Sequence, residues 1–150
     1  YFTCPYGHMR MFDVADPTHP KLLSHFALPE NTDCSSTQPL QSAHAAKYPR
    51  LGPSTHIGNF WNSNLFILAW YGAGVRAIDI TDPLHMKEVG RYQYNIRDEY
   101  PGNPLAARWP GNHGYDVIIG PGGRLYASDA TAGLRVLRYT GPGGNSPRLR

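Results

Sequence analysis

Residues 9–21, MRMFDVADPTHPK, return as residues 75–87, VRAIDITDPLHMK, at a constant offset of 66 (79 − 13). The Arg, both Asp, the Pro, the His and the Lys keep their places. A third, partial copy runs over residues 124–139, RLYASDATAGLRVLRY, with Arg135 falling 59 positions after Arg76 (135 − 76). It lacks the Asp-x-x-Asp-Pro turn. A unit this short cannot bury a hydrophobic face alone, so a chain that repeats it must stack its copies.

The fullest copy lies in residues 65–92, LFILAWYGAGVRAIDITDPLHMKEVGRY. It holds three β-prone runs, 65–71, 74–80 and 88–92, rich in β-branched, aromatic and aliphatic residues and separated by turn signals. Each is too short for a stable helix. The middle run alternates, with Val75, Ala77 and Asp79 on one side and Arg76, Ile78 and Ile80 on the other, which predicts one face buried against a neighbouring sheet. Asp82-Pro83 then supplies a reversal, because Asp can bond the backbone two residues on and Pro presets φ. The expected product is an antiparallel meander.

Residues 74–83, GVRAIDITDP, and more loosely 9–17 and 133–139, resemble LVIVD repeats. In that family each repeat is similar to one β-propeller blade, so the resemblance implies an all-β fold of four-stranded antiparallel blades set radially around a channel. About two and a half blades are legible, at residues 1–29, 54–94 and 112–140, with irregular inserts at 30–53 and 93–112 and a Gly/Pro-rich tail at 141–150. Both ends cut through a blade, and there is no initiator Met. The expectation is a window on a larger propeller. The family's habit implies a secreted, cell-surface or periplasmic protein.

Composition agrees with an all-β fold and excludes other classes. The chain is 41% apolar and 12% aromatic, enough for a packed core, and its 17% charged residues are too few for a disordered chain. Sixteen Gly and fourteen Pro fall between the β runs, as many reversals require. No apolar run reaches the length of a transmembrane helix. The net charge of +3 comes from scattered Lys and Arg without interleaved aromatics, which argues for a solvated exterior rather than a nucleic-acid surface. Cys4 and Cys34 either form one disulfide between the first blade and the loop that leaves it or stand as two thiols.

Chain order refines the strands. Residues 1–4 and 9–15 read as two strands, 21–28 as the outer strand of that blade, 55–61 as the innermost strand of the next, and 113–119 as the innermost strand of the last. Asn62-Ser63-Asn64 is a turn tolerant of left-handed conformations, and residues 120–123 form a hairpin turn.

Chemistry centres on histidine. His44, His56 and His113 precede the second strand of a blade, and side chains on innermost strands converge on the channel. Converging neutral imidazoles suit copper, iron or zinc, and an open coordination position would make the site catalytic. Residues 69–76, AWYGAGVR, are also distantly similar to the selenium-binding-protein and methanethiol-oxidase propellers, a group that associates channel histidines with metal-dependent oxidation. The structural alternative is that a repeated histidine bonds a neighbouring blade's backbone. Asp13/Asp16 and Asp79/Asp82 share one turn context, which favours capping over acid–base chemistry, and His19 and His85 beside them read as turn residues. Arg10, Arg76 and Arg135 occupy one strand position and read as a structural ladder ahead of an anion site. No Gly-x-Ser-x-Gly elbow or phosphate loop is present.

The reading favoured by the sequence is a non-catalytic propeller scaffold, with no cofactor, whose two long inserts bind a protein partner or a surface assembly through Tyr48, Tyr100 and Trp109. The alternative is a metal-dependent oxidoreductase with His44, His56 and His113 as ligands. The remaining possibility is a subunit completed by another chain or by the rest of the same propeller.

Overall fold

The computed structural model describes residues 7–29, 54–93, 102, 114–130 and 132–144. These form an all-β structure of nine strands in three antiparallel sheets. The first pairs β1 (Met9–Asp13) with β2 (Lys21–Phe26). The second has β3 (Ser54–Asn62), β4 (Leu65–Tyr71), β5 (Gly74–Asp79) and β6 (Lys87–Tyr92) in sequential order. The third has β7 (Gly114–Gly120), β8 (Arg124–Asp129) and β9 (Gly133–Arg138), also in order. The strand expected at residues 1–4, both cysteines and most of the two inserts lie outside the described residues.

The turns follow from local chemistry, with one difference. Gly72 and Gly74 adopt φ of 72° and 80° between β4 and β5, which only glycine does without strain. The β7–β8 connection is a 3-10 turn over Pro121–Gly123 with Gly122 left-handed. The β3–β4 turn, in contrast, uses no left-handed residue: every described non-glycine has negative φ. Asn62 instead accepts the Asn64 backbone N–H on Oδ1 at 2.9 Å, a side-chain bond that replaces the tight backbone geometry.

Alternation predicts one buried face for β5, and the structure buries both. Leu65 and Ile67 of β4 and Val75 and Ala77 of β5 pack with Trp61 against Val117, Leu125 and Ala127 of the third sheet. Leu68 and Trp70 of β4 and Ile78 of β5 pack in the opposite direction with Leu28, beside Met9, Met11 and Phe26 of the first sheet. The second sheet is therefore the filling between two others. Ring contacts mark both seams, Trp70 edge-on to Phe26 at 6.1 Å and Trp61 to Tyr139 at 5.9 Å. Each large apolar side chain so removed from water contributes roughly 1.5–3 kcal/mol.

The two-sided burial explains why β4 reads LFILAWY without polar interruption. It also requires a solution for Arg76, which is 1% exposed on the face toward the first sheet. Its Nη1 donates to both carboxylate oxygens of Glu88, at 3.0 and 3.1 Å, and its Nε donates to the Ala73 carbonyl at 3.0 Å. Glu88 lies across from Ile78, so Arg76 reaches it diagonally over the β5–β6 ladder.

The second and third sheets approach most closely through β7, which lies against β3 and β4 and meets β5 only at its margin. Gly114 sits at that seam: a Cβ there would lie 3.2 Å from the Gly74 carbonyl oxygen. A Cβ on Gly74 would itself collide with the Tyr92 carbonyl oxygen.

Gly74→Ala is expected to cost at least about 2 kcal/mol, since backbone penalty and collision add. Gly143→Ala, equally left-handed but in open space, is expected to cost about 1 kcal/mol. Urea denaturation of the two variants checks the ranking; equal midpoints would contradict it. Glu88→Gln, which removes the charge facing buried Arg76, is expected to lower stability by about 2–3 kcal/mol. Arg91→Gln, exposed and 4.0 Å from Glu88, is expected to change it by under about 0.5 kcal/mol.

Candidate functional site

The first strands of the second and third sheets, each an edge strand, both carry a bulge. In β3 the register jumps between Thr55 and Gly58, and in β7 between Gly114 and Asp116. These are equivalent places in the repeat, since 114 − 55 is 59. A bulge turns a side chain out of the regular alternation, and here the displaced residues are His56 and Tyr115, which meet. His56 Nδ1 bonds the Tyr115 backbone carbonyl, and the two rings lie edge to face at 5.4 Å. Tyr71, at the end of β4, completes the group, with ring centroids 4.6 Å from His56 and 5.2 Å from Tyr115. Asn59, three residues after His56, makes a similar contact, donating to the Val117 carbonyl at 2.6 Å.

This aromatic group has a definite electrostatic character. Burial, then a hydrogen bond and coupling to Tyr115, push the Tyr71 phenol above its ordinary value of 10.0. Tyr71 is thus a neutral hydrogen-bonding group at physiological pH. His56 and Tyr115 are both exposed, so the group is open to solvent on one side while Tyr71 closes the other. A carbonyl bonded to Nδ1 selects the tautomer that carries its proton there and leaves the lone pair on Nε2. The arrangement can accept a hydrogen bond or a metal through Nε2 and can donate from phenols.

The sequence singles out His56 and expects a strand over residues 55–61; the structure has it in β3, an edge strand of the second sheet. It does not single out Tyr71, Tyr115 or Asn59. The repeat contains the signal for one of them: adding 59 to 56 gives 115, so the counterpart of His56 in the last copy is Tyr115 and not His113. His44, His113, Tyr48, Tyr100, Trp109, Cys4 and Cys34 lie outside the described residues. Among the described residues no three His, Cys, Asp or Glu side chains cluster with metal-binding geometry.

The Asp and His residues of the repeated turns do capping work, atom for atom. Asp13 and Asp79 each accept the backbone N–H two residues on at 2.9 Å. Asp16 and Asp82 accept from Thr18 and Leu84 at 3.0 and 2.9 Å. The same two carboxylates hold His19 and His85 through Nδ1 at 2.9 and 2.7 Å. Of the recurring arginines, Arg76 is the buried ion pair described above, while Arg10 is exposed and donates through Nε to His8 Nε2 at 3.1 Å. Position 22, the counterpart of Glu88, is Leu, which is why the first copy has no equivalent pair.

No model of a known protein family matches the chain, and neither the curated proteins nor the solved structures searched give a match. No helix among the described residues is long and apolar enough to cross a membrane.

The turns set an acid dependence. Asp16 is held below its ordinary value chiefly by Thr18 and then His19, Asp79 by Thr81, and Asp82 by His85 and the Leu84 amide. A carboxyl whose folded value is depressed adds stability that is complete above the unfolded value, about 4, and is lost as pH falls through the folded one. Asp16 and Asp82 are exposed and Asp79 is half-buried, so the effect is small and largely screened by salt. The thermal midpoint is expected to fall between pH 5 and pH 2, and to fall less in the Asp16→Asn/Asp82→Asn double variant, whose amides keep the acceptor but cannot protonate. Identical slopes would contradict this account of the turns.

Proposed function

We propose that the chain is part of a β-propeller built from LVIVD-type repeats, and that it serves as a rigid, non-catalytic scaffold whose rim segments, residues 30–53 and 93–112, hold a protein partner or a surface assembly outside the cell. The observation that carries this reading is the stacking of three repeat-related sheets, with the central strands β4 and β5 of the middle one buried on both faces. Radial repetition around an axis produces that arrangement. The recurring polar residues support it as well, since Asp13, Asp16, Asp79, Asp82, His19, His85 and Arg76 are engaged in bonds that shape the repeat. A scaffold that spends its repeated residues on itself leaves recognition to what differs between repeats, and the two long inserts differ most. Tyr48, Tyr100 and Trp109 are the aromatic anchors they offer.

One observation favours the second reading, a metal-dependent oxidoreductase. His56 has the outer hydrogen bond through Nδ1 that commonly orients a ligating histidine, with Nε2 left for copper, iron or zinc. His44 and His113 would complete the set, and the metal would supply redox chemistry.

Tyr48→Ala/Tyr100→Ala/Trp109→Ala is expected to leave the thermal midpoint within a few degrees and to abolish retention of partner proteins by the immobilised chain. Undiminished retention of the same proteins would contradict the scaffold reading. Metal analysis after equilibration with copper, iron and zinc separates the alternatives: stoichiometric metal in the wild type, lost in His56→Ala, would establish the second reading in place of the first.

A further inference from the structure

The first and second repeats share one strand pair down to its irregularity. Phe12 stands opposite Leu22 and Ile78 opposite Glu88, each just beyond a register shift that falls between Met11 and Phe12 in β1 and between Ala77 and Ile78 in β5. Adding 66 therefore aligns the polar groups of the two pairs. Arg10 becomes Arg76, and His25, which faces Arg10 across the ladder, becomes Arg91, which faces Arg76. In the second repeat a carboxylate serves both arginines: the oxygens of Glu88 lie 3.0 and 3.1 Å from Arg76 Nη1, and one of them 4.0 Å from Arg91 Nη1. In the first repeat a nitrogen donor stands at each arginine position, and Leu22 stands where the carboxylate would be.

A third substitution accompanies the loss of the carboxylate. The counterpart of Gly74 is His8, whose Nε2 accepts from Arg10 Nε at 3.1 Å, as the Ala73 carbonyl accepts from Arg76 Nε at 3.0 Å. An acceptor on Nε holds the guanidinium and leaves its two terminal nitrogens for a ligand. Among the described residues Arg10 makes no other side-chain bond, and the carboxylates nearest in sequence, Asp13 and Asp16, are bonded within their turn. The His25 ring lies 5.4 Å from that of His8, and Arg10 and His25 are both exposed. We propose that Arg10 and His25 bind a small oxyanion, phosphate or carboxylate, in the place that the Glu88 carboxylate holds in the second repeat, with His8 positioning Arg10. Glu88 is the chain's own template for that ligand, since it shows two oxygens of one anion meeting an arginine held by its Nε. The site requires only the β1–β2 pair, and so stands apart from the propeller reading.

Chemical-shift titration of the full chain with inorganic phosphate and with acetate, at constant ionic strength and read at the His25 ring, tests this. Saturable shifts are expected, and whichever anion saturates at the lower concentration identifies the oxyanion class. Arg10→Gln is expected to weaken binding at least about tenfold. His8→Ala is expected to weaken it about threefold or more, and His8→Gln to recover most of the loss, because an amide oxygen can accept from Arg10 Nε. Leu22→Glu returns a carboxylate to the chain and is expected to abolish anion binding without lowering the thermal midpoint. Exposed Arg124→Gln is expected to change nothing. Shifts that never saturate, or that Arg124→Gln reduces as much as Arg10→Gln, report general surface charge and overturn the site. Full binding in Leu22→Glu overturns it, as does a wild type without any shift, whose Arg10 is already met by an acidic group elsewhere.

Discussion

Everything in this molecule depends on the two central strands of the second sheet, β4 and β5, having no solvent face. β4 and β5 send alternate side chains into two separate clusters, so the same short strands hold the first sheet on one side and the third on the other. An ordinary half-exposed antiparallel sheet can place a charge on its outer face at no cost. Here the central strands have no outer face, and Arg76 becomes the most demanding residue of the fold. Its bidentate contact with Glu88 and its bond to the Ala73 carbonyl satisfy a guanidinium that would otherwise be expensive to bury. Glu88 keeps partial access to water, with 22% of its side chain exposed, which reduces its own desolvation.

Close packing of the sheets also accounts for the inner edge. Where the second and third sheets converge, the ladder cannot stay regular on both, and β3 and β7 each take up an extra residue at the equivalent place. The bulges turn His56 and Tyr115 toward one another, and Tyr71 fills the space behind them. A polar group at an inter-sheet seam is thus a by-product of geometry first. Whether chemistry has been added to it is a matter of what Nε2 of His56 meets.

Much of this is legible in the sequence, for a physical reason. Asp-Pro turns and short apolar strands are local, so residues 9–21 and 75–87 specify the same bonds wherever they occur, down to the Asp–His contacts. The strands themselves coincide with the β-prone runs to within a residue or two. What is not legible is non-local. Alternation in β5 points to one buried face, because Arg76 and Asp79 interrupt each side in turn, and only the Glu88 contact reveals that the arginine side is buried as well. The bulges leave no periodic trace, so Tyr115 is overlooked while His113, two residues earlier, attracts attention by residue type alone. Asn62 shows the same limit on a smaller scale: the sequence says that left-handed backbone is tolerated at this turn, and the structure closes it with the Asn62 side chain.

The repeat therefore specifies units, and the stacking of units specifies how the sheets are arranged. The proposed scaffold and the alternative metal site both require that the central strands of the second sheet be held simultaneously from both sides. Nuclear Overhauser contacts from the two buried tryptophans test that requirement most directly. The account predicts cross-peaks from the Trp70 ring to Phe26 and from the Trp61 ring to Tyr139 in the same folded species. If either set is missing while the other is strong, the second sheet has a free face, and the stacked arrangement is wrong.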